Sequence, residues 1–515
     1  MTCARARLPC SRGKALGRTL ALLFSTAAPR MAMAAGPLGP DGSPLHTSQY
    51  GIDLTQTPIQ AGARVTGLAG AYVAIAEGID ADIQTPVTPA VRAPYSVDHS
   101  ELELGLGLTL PVAVTTTDFF NTGHQHTQLA SADQSGFLFV TPAINLAWGN
   151  FGVGVTLELQ NYSLLRETIA SGARRDEFDA QFLIGHLQAA NRFLDGQLVV
   201  GGGLRVLELD VTNPNAPEGQ THLATSVGMG VETGVLWAPT DEPYRLGAAF
   251  HSAITASANP GGRITPNAAG DRVLGDPSDP VNQFYLPNWI YQPWDLNVGM
   301  AVQIGPRPFN ERWIDPEGRA DVARAAIERR RAERRYRRAL LFQRLGAEGG
   351  LDEMAERAID AELDNEQAFD ELHVERVERE LRQRMKLAYA RLPRPYALLS
   401  VSLVLTGSLT DAVGIESFLQ RVVARSGEKV VYSPRLGIET EVVPGWLKVR
   451  GGTYSEPTRF ATSTPRLHGT VGFDAKVLPW SAFGLFDEGT EWRITTSLDA
   501  AARYLSWGVS VGVWH

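Results

Sequence analysis

Two short motifs contain residue types that carry out chemistry in other proteins. Residues 508–512 (GVSVG) have the G-x-S-x-G spacing of a nucleophile elbow, whose serine attacks an acyl carbon. The elbow requires a strand, a sharp turn and a helix, whereas these residues lie in a strand-like alternation of apolar and small side chains. His124 and His126 could ligate a metal, but two imidazoles without a third ligand indicate a solvated loop. We therefore predict no catalytic, cofactor-binding or metal site, and a hydrolase using Ser510 is the least supported interpretation.

The composition excludes several classes of protein. The 515 residues carry a net charge of −9 and no basic patch that would indicate nucleic-acid binding. The only cysteines are Cys3 and Cys10, which excludes a disulfide-stapled domain and a cysteine-ligated metal site. No apolar run approaches the roughly 18 residues of a membrane-spanning helix. Glycine accounts for 51 of the 515 residues, which is above its usual share of about 7%, but the sequence has no collagen repeat.

The first residues predict an export signal. A basic segment up to Arg18 precedes the apolar residues 19–28 and the small-residue sequence Ala32-Met33-Ala34. This order is typical of a secretory signal peptide, which we assign to residues 1–35. The alternative is a disordered basic leader. Cleavage would remove both cysteines and place the mature chain outside the cytoplasm.

Period-two alternation of apolar and small or polar residues dominates the rest of the chain. In residues 152–160, for example, Val153, Val155 and Leu157 share one face, and Gly154 and Thr156 share the other. The pattern predicts fourteen strands near residues 99–112, 134–148, 151–164, 177–192, 196–210, 223–238, 243–257, 291–305, 395–407, 428–443, 446–456, 466–478, 491–503 and 505–514. Short and long connections alternate between them.

Three features favour a transmembrane β-barrel over a soluble β-sandwich. The segments reach ten or more residues, whereas soluble strands average five or six. Tryptophans such as Trp148, Trp237 and Trp446 lie near strand ends, as in the aromatic girdle at a membrane surface. The even number of strands and the alternation of loop lengths are typical of bacterial barrels with short periplasmic turns.

One segment interrupts the barrel pattern. Close to half of the side chains between Glu311 and Leu392 are charged, and seven arginines cluster between Arg329 and Arg338. Asp315-Pro316 is a helix start signal, and we predict helices over residues 317–345 and 351–391. Strand parity places this insertion on the periplasmic side. It is either a solvated helical hairpin or a docking arm for a periplasmic partner or for anionic lipid headgroups.

Four stretches resemble the long-chain fatty-acid outer-membrane transporter family of the FadL/TodX type. They are residues 63–76 with Asp80-Ala81-Asp82, residues 234–239 with 244–252, residues 286–287 with 294–301, and residues 434–454 with 468–473. The first resembles the R-x-x-G-x-x-G-A segment that opens the family's N-terminal hatch. The resemblance implies a fourteen-stranded antiparallel barrel in the bacterial outer membrane, with the hatch inside its lumen. It implies no nucleotide or redox cofactor.

The resemblance and the patterns together give a domain plan. We predict a signal peptide (1–35), an N-terminal hatch or plug (36–98), barrel strands 1–8 (99–310), a helical periplasmic insertion (311–394) and barrel strands 9–14 (395–515). The predicted hatch residues are Arg64, Gly67, Gly70, Asp80, Thr88, Pro89 and Ala90. Thr88 stands where the family's N-P-A motif has asparagine, which removes any role tied to that amide. The candidate hatch anchors on the wall are Arg205, Glu232, Asp295, Asn297, Lys448 and Arg450.

The function implied is passive uptake of long-chain fatty acids or other hydrophobic compounds, with no enzyme activity. The expected partners are a hydrophobic small molecule and outer-membrane lipid, with no nucleic acid. Apolar side chains in residues 258–290 predict an outer capture site at Phe284, Tyr285, Leu286 and Trp289. The alternative is a structural barrel whose insertion, residues 311–394, recruits a periplasmic protein.

Overall fold

The computed structural model describes most of the chain after the predicted signal peptide. The described residues are 38–92, 96, 98–112, 118–123, 131–132, 137–167, 175–213, 222–261, 264–267, 269–274, 284–310, 312–313, 315–347, 353–461, 463–477 and 491–513. The predicted signal peptide, the His124–His126 pair, Trp480 and Trp514 lie outside these residues.

Fourteen antiparallel strands form a closed barrel, which confirms the predicted fold class. Each strand pairs with its neighbours in chain order, and the first pairs with the last through Gly107 and Ser510. The barrel strands are β1 Ser100–Pro111, β2 Leu138–Trp148, β3 Phe151–Glu167, β4 Arg175–Phe193, β5 Leu198–Thr212, β6 His222–Trp237, β7 Tyr244–His251, β8 Asp295–Ile304, β9 Ala397–Thr406, β10 Val431–Val443, β11 Leu447–Glu456, β12 Arg466–Lys476, β13 Trp492–Ala501 and β14 Tyr504–Val513. Short strands outside the barrel are named below by their residues.

The barrel wall has an apolar outer face and a small or polar inner face. In β3, Phe151, Val153 and Val155 are exposed, whereas Gly152 and Gly154 are buried inside. Closure gives every wall strand two hydrogen-bonded neighbours, so the apolar outer face can lie against lipid. The period-two pattern is therefore explained by lipid on one side and a filled lumen on the other.

One end of the barrel has short turns and an aromatic ring. Trp148, Phe151, Trp237 and Trp446 are exposed beside these turns, at the ends of β2, β3, β6 and β10. Short turns mark the periplasmic end of bacterial barrels, so we call this the periplasmic end and the opposite one the outer end. The β13–β14 turn, at the outer end, is the exception to long outer loops.

The seventh predicted strand, residues 243–257, is in fact two segments. β7 leaves the wall after His251, and Ile254–Ser257 pairs with Trp289–Gln292 instead. The reason is visible at the bend, where Ser252 Oγ accepts the Val231 N–H at 2.8 Å and Ile254 turns onto β6 beside Gly228 and Gly230. The part of the β7–β8 hairpin nearest the outer end therefore folds inward, toward the lumen.

The N-terminal residues fill the lumen. Gly51–Asp53 forms a parallel strand between Trp289–Gln292 and Ala412–Gly414 near the outer end. The chain then passes through a segment that we call the strap, residues 54–60, into a compact hatch, residues 61–92. The hatch contains helix α1 (Ala63–Gly67) and two 3-10 turns, Ile79–Ala81 and Thr88–Ala90. Its side chains are almost wholly buried against the barrel wall.

The insertion between β8 and β9 forms a helical hairpin at the periplasmic end. Helices α2 (Pro316–Ala347) and α3 (Glu353–Ala390) bury Ile327 and Val374 between them. Arg334 forms ion pairs with Glu366 at 2.6 Å and Asp370 at 3.1 Å. A fourth helix, α4 (Ile415–Gln420), lies in the outer loop after β9. Among the described residues, no helix has both the length and the apolar composition that crossing a membrane requires.

Candidate functional site

The predicted hatch residue Arg64 anchors the plug to the wall. Its guanidinium donates to both carboxylate oxygens of Glu439 on β10, at 3.2 and 3.0 Å. It also lies 3.5 Å from Glu77 within the hatch. A two-point guanidinium–carboxylate pair fixes orientation as well as distance, so α1 is held in one position against β10.

A chain of alternating charges extends this anchor around the wall. Glu439 also accepts from Arg450 Nε at 3.0 Å, and Arg450 pairs with Asp474 through an Nη1–Oδ1 distance of 2.8 Å. Arg493 then joins this wall cluster to the hatch at Asp80, at 2.9 Å. The two predicted hatch residues Arg64 and Asp80 thus belong to one buried ion-pair network, joined by the contact of Arg493 with Asp474 at 3.8 Å.

The hatch residue Asp82 is held by neutral donors. Asn145 Nδ2 and Thr156 Oγ1 donate to its carboxylate at 2.9 and 2.8 Å, and Gln188 Nε2 donates to its main-chain oxygen at 2.8 Å. The sequence shows Asp82 two residues after Asp80, but its three partners come from β2, β3 and β4. Asp82 belongs to a stretch that carries the family resemblance, but nothing in the local sequence predicts its role in the hatch.

The remaining predicted hatch residues make close backbone contacts. Gly70 has φ +68°, which favours glycine, and a side chain at Gly67 would meet Arg450. Thr88 donates to the Thr85 carbonyl at 3.0 Å, so its hydroxyl closes its own turn. Pro89 lies with its carbonyl against Gly152 of the wall, and Ala90 is buried beside it.

Four of the six predicted wall anchors fall into two groups. Arg450 and Asn297 face the hatch, and Asn297 donates to Gln84 at 3.2 Å. Glu232 and Asp295 instead pair with histidines, because His186 lies 3.0 Å from Glu232 and His251 lies 2.8 Å from Asp295. These pairs lie where the β6–β7 and β7–β8 ladders end at the bend.

An apolar cavity of about 410 Å³ lies above the strap, toward the outer end. We call it the outer pocket. Its apolar lining comes from the strap, the barrel wall and the outer loops: Leu54, Phe120, Tyr162, Phe182, Ile415, Val422, Val423 and Phe460. Polar and charged side chains complete the lining, and a cavity of this volume that combines apolar and polar groups suits a small molecule.

The polar groups of the outer pocket include three carboxyl groups. Asp53 pairs with Arg459 at 2.9 Å, and Asp41 lies 3.4 Å from Arg425. Glu416, in the first turn of α4, also lines the pocket. Burial, with a smaller effect from the neighbouring carboxylate of Asp118, raises the pKa of Glu416 to about 8.

A second, more polar cavity of about 170 Å³ lies below the strap, and we call it the inner chamber. Leu54, Thr55, Gln56 and Phe182 line both cavities. Gln56 is hydrogen-bonded to Gln160 on the wall, and Thr57 is hydrogen-bonded to Glu456. The strap is therefore the partition between the two cavities, held to the wall by side-chain hydrogen bonds.

The predicted capture residues lie behind the outer pocket and do not line it. Phe284 packs against Phe418 of α4 with ring centroids 6.0 Å apart, and Leu286 is fully buried. Tyr285 accepts a main-chain hydrogen bond from the Tyr50 hydroxyl at 2.6 Å, and Trp289 is half exposed. A direct contact of these four residues with a ligand stays a prediction.

The serine of the elbow-like motif has no elbow geometry. Ser510 lies within β14, opposite Gly107 of β1 and Thr495 of β13. A nucleophile elbow needs a turn between strand and helix. The described geometry around Ser510 is that of a regular barrel strand.

These features define the class of the protein as a plugged transmembrane β-barrel. A closed barrel with an even number of antiparallel strands, an apolar exterior and an aromatic girdle is the architecture of bacterial outer-membrane proteins, and we place the chain in that membrane. Helical membrane proteins and soluble sandwiches do not share this arrangement.

Comparison with known proteins gives matches among solved structures. The CymD monoaromatic hydrocarbon channel has a TM-score of 0.43 and 10% identity, covering 89% of this chain and 97% of its own. A Pseudomonas aeruginosa FadL homologue has a TM-score of 0.43 and 10% identity, covering 89% and 98%. The Pseudomonas putida toluene transporter TodX has a TM-score of 0.43 and 11% identity, covering 90% and 98%.

These structures are of the FadL/TodX type that the sequence resembles. No family model and no curated protein matches the sequence.

Proposed function

We propose that this barrel takes up hydrophobic small molecules passively across the outer membrane. The observation that carries the proposal is the outer pocket, an apolar cavity of about 410 Å³ bounded by the barrel wall, the strap and the outer loops. Burial of apolar ligand surface there would contribute about 25 cal/mol per Å². Such a cavity can extract an apolar molecule from the lipopolysaccharide or water side without an energy source.

On the proposed route, a ligand passes from the outer pocket into the inner chamber. Because residues 54–56 line both cavities, a shift of the strap would join them. The strap is fixed to the wall there by the Gln56–Gln160 and Thr57–Glu456 hydrogen bonds. Breaking two side-chain hydrogen bonds costs about 1–3 kcal/mol in total, which thermal motion supplies readily.

Two exits from the inner chamber are compatible with the geometry. His251, Pro293 and Asp295 at the β7–β8 bend line the chamber, so the inward fold of this hairpin offers a lateral path through the wall. The other path leads past the hatch into the periplasm. The lateral path needs no movement of the buried Arg64–Glu439 and Asp80–Arg493 pairs, which favours it.

The ligand is a long-chain fatty acid or another hydrophobic compound such as a hydrocarbon. Phe182 offers a direct test because it lines both cavities. We expect Phe182→Asn to reduce uptake of a labelled hydrophobic compound several-fold, because it replaces apolar lining with an amide. Phe139→Asn is the matched control, since Phe139 is equally buried on β2 but does not line the outer pocket or the inner chamber. Equal uptake by Phe182→Asn and wild type would contradict the proposed route.

The helical insertion supports a second candidate function, recruitment of a periplasmic protein. Its helices expose large apolar side chains, with Val322 71%, Met354 80% and Phe369 72% exposed. The insertion contacts the residues that follow the hatch: Arg382 lies 3.2 Å from Asp98, and Trp313 donates to the Ser96 carbonyl at 3.0 Å. A protein bound to the insertion would therefore lie close to the hatch.

Photo-crosslinking in cells tests this second function. A photoreactive residue at Phe369 should give a specific protein adduct, and one at the charged, exposed position Arg379 serves as control. Absence of an adduct from Phe369 would leave the insertion as a solvated hairpin.

A further inference from the structure

We propose that Glu416 makes the outer pocket selective for uncharged hydrophobic molecules over carboxylates. This inference rests on the proposed function and specifies the ligand class at the same site. It starts from the placement of Glu416 on α4, where the side chain lines the pocket together with its neighbour Ile415 and with Val423 and Phe182.

The other charged groups around the pocket are already paired. Asp53 is held by Arg459 and by the Ser426 hydroxyl at 2.7 Å, and Arg425 lies beside Asp41. Asp118, behind Glu416, accepts the main-chain N–H groups of Thr122 and Gly123. No arginine, lysine or histidine of the described residues forms an ion pair with Glu416, and the charged group that acts on it is the carboxylate of Asp118.

This arrangement offers a carboxylate ligand no unpaired counter-charge, because Arg425, the cation in the described lining, is already paired with Asp41. An ionised ligand would lose its hydration in an apolar cavity and would face Glu416 instead of a cation. An alcohol or a hydrocarbon meets neither penalty, and a hydroxyl group can hydrogen-bond to Glu416. The pocket geometry therefore favours the uncharged molecule.

The protonation state of Glu416 gives the selectivity a pH dependence. Burial raises the pKa of this group to about 8, so the side chain is mostly uncharged at pH 6.5 and ionised at pH 9.5. The charged groups near Glu416 are Asp41, Asp53, Asp118, Arg425 and Arg459, and no histidine of the described residues lines the pocket. Repulsion of a carboxylate ligand therefore increases as the pH rises through about 8.

The test compares 1-octanol with octanoate, which have the same chain length and which differ in charge at both pH values. Binding is measured by equilibrium dialysis of the labelled compounds against the protein in lipid nanodiscs, with empty nanodiscs as background. For wild type we expect 1-octanol to bind at least about tenfold more tightly than octanoate at pH 9.5, with a smaller ratio at pH 6.5. Glu416→Gln should give the same ratio at both pH values, and Glu416→Lys should favour octanoate.

Two outcomes would overturn the selectivity alone. One is octanoate binding as tightly as 1-octanol to wild type at pH 9.5, and the other is an unchanged pH dependence in Glu416→Gln. If wild type bound neither compound saturably, the proposed function itself would be contradicted, and the selectivity with it.

Discussion

The hatch should be displaced by a single added side chain on the barrel wall. Gly437 on β10 lies against α1, and a β-carbon built there would be 2.6 Å from the main-chain oxygen of Leu68 and 2.9 Å from its Cδ2. Ordinary van der Waals contacts of a β-carbon begin at 3.4 Å, so even the β-carbon of an alanine at position 437 would be about 0.8 Å too close to the Leu68 oxygen. Valine adds two methyl groups at the same place.

The hatch should move, because the wall cannot. Gly437 is paired with Ser400 of β9 on one side and Gly452 of β11 on the other, so β10 is fixed in the sheet. Overpacking of this kind typically costs about 1–3 kcal/mol, comparable to a few of the hydrogen bonds that hold the hatch. We expect Gly437→Val to leave a folded barrel with a loosened hatch.

The assay uses the absence of cysteines after residue 10. A Thr66→Cys probe on α1, where the native side chain is 3% exposed, should react slowly with a maleimide in the parent and at least about tenfold faster in Gly437→Val. Conductance in planar bilayers should rise in parallel. The matched control is Gly469→Val on β12, because a β-carbon at Gly469 meets no atom within 4 Å. Unchanged labelling and conductance in a folded Gly437→Val barrel would refute the close packing of hatch and wall.

Three further predictions follow from single contacts. Asp82→Ala leaves Asn145 and Thr156 without their acceptor, so it should lower the free energy of unfolding by about 1–3 kcal/mol and increase Thr66→Cys labelling; an unchanged thermal midpoint would contradict this. Arg64→Ala should destabilise the barrel less than Glu439→Ala. In Arg64→Ala, Glu439 keeps its hydrogen bonds from Arg450 and Tyr396, whereas Glu439→Ala removes the shared carboxylate partner of two buried arginines. Thermal midpoints measured in detergent test this order. Burial raises the pKa of Glu416 from 4.5 to about 8 in the folded state, so the side chain should destabilise the protein increasingly as the pH rises from about 4.5 through about 8. Glu416→Gln should remove this loss of stability, which would be seen as a flatter plot of thermal midpoint against pH.

Much of the barrel could be predicted from the sequence because lipid and lumen impose a local, period-two pattern. The strands around Val153 and Val511 were recognised from alternation alone, and the structure confirms fourteen of them. The predicted strand over residues 243–257 was wrong at its end. Alternation continues through Ser252 into Ile254–Ser257, and the departure from the wall depends on Gly228 and Gly230 of another strand.

The sites were less accessible to sequence reasoning because their residues meet only in three dimensions. The family resemblance predicts Arg64 and Asp80 as hatch residues, but their partners Glu439 and Arg493 lie hundreds of residues away in the sequence. The outer pocket joins Leu54, Phe182 and Ile415 from the strap, the wall and an outer loop. Helix α4 is six residues long, too short to show a helical period, so Glu416 carried no signal.

Uptake of a labelled hydrophobic compound tests the central claim most directly. Cells that produce the wild-type barrel as their only channel of this kind would be compared with cells producing Phe182→Asn or Phe139→Asn, at equal amounts of folded protein in the outer membrane. We predict fast, saturable uptake by wild type and Phe139→Asn and a several-fold slower rate in Phe182→Asn. Uptake by wild-type cells no faster than by cells without the protein would contradict it.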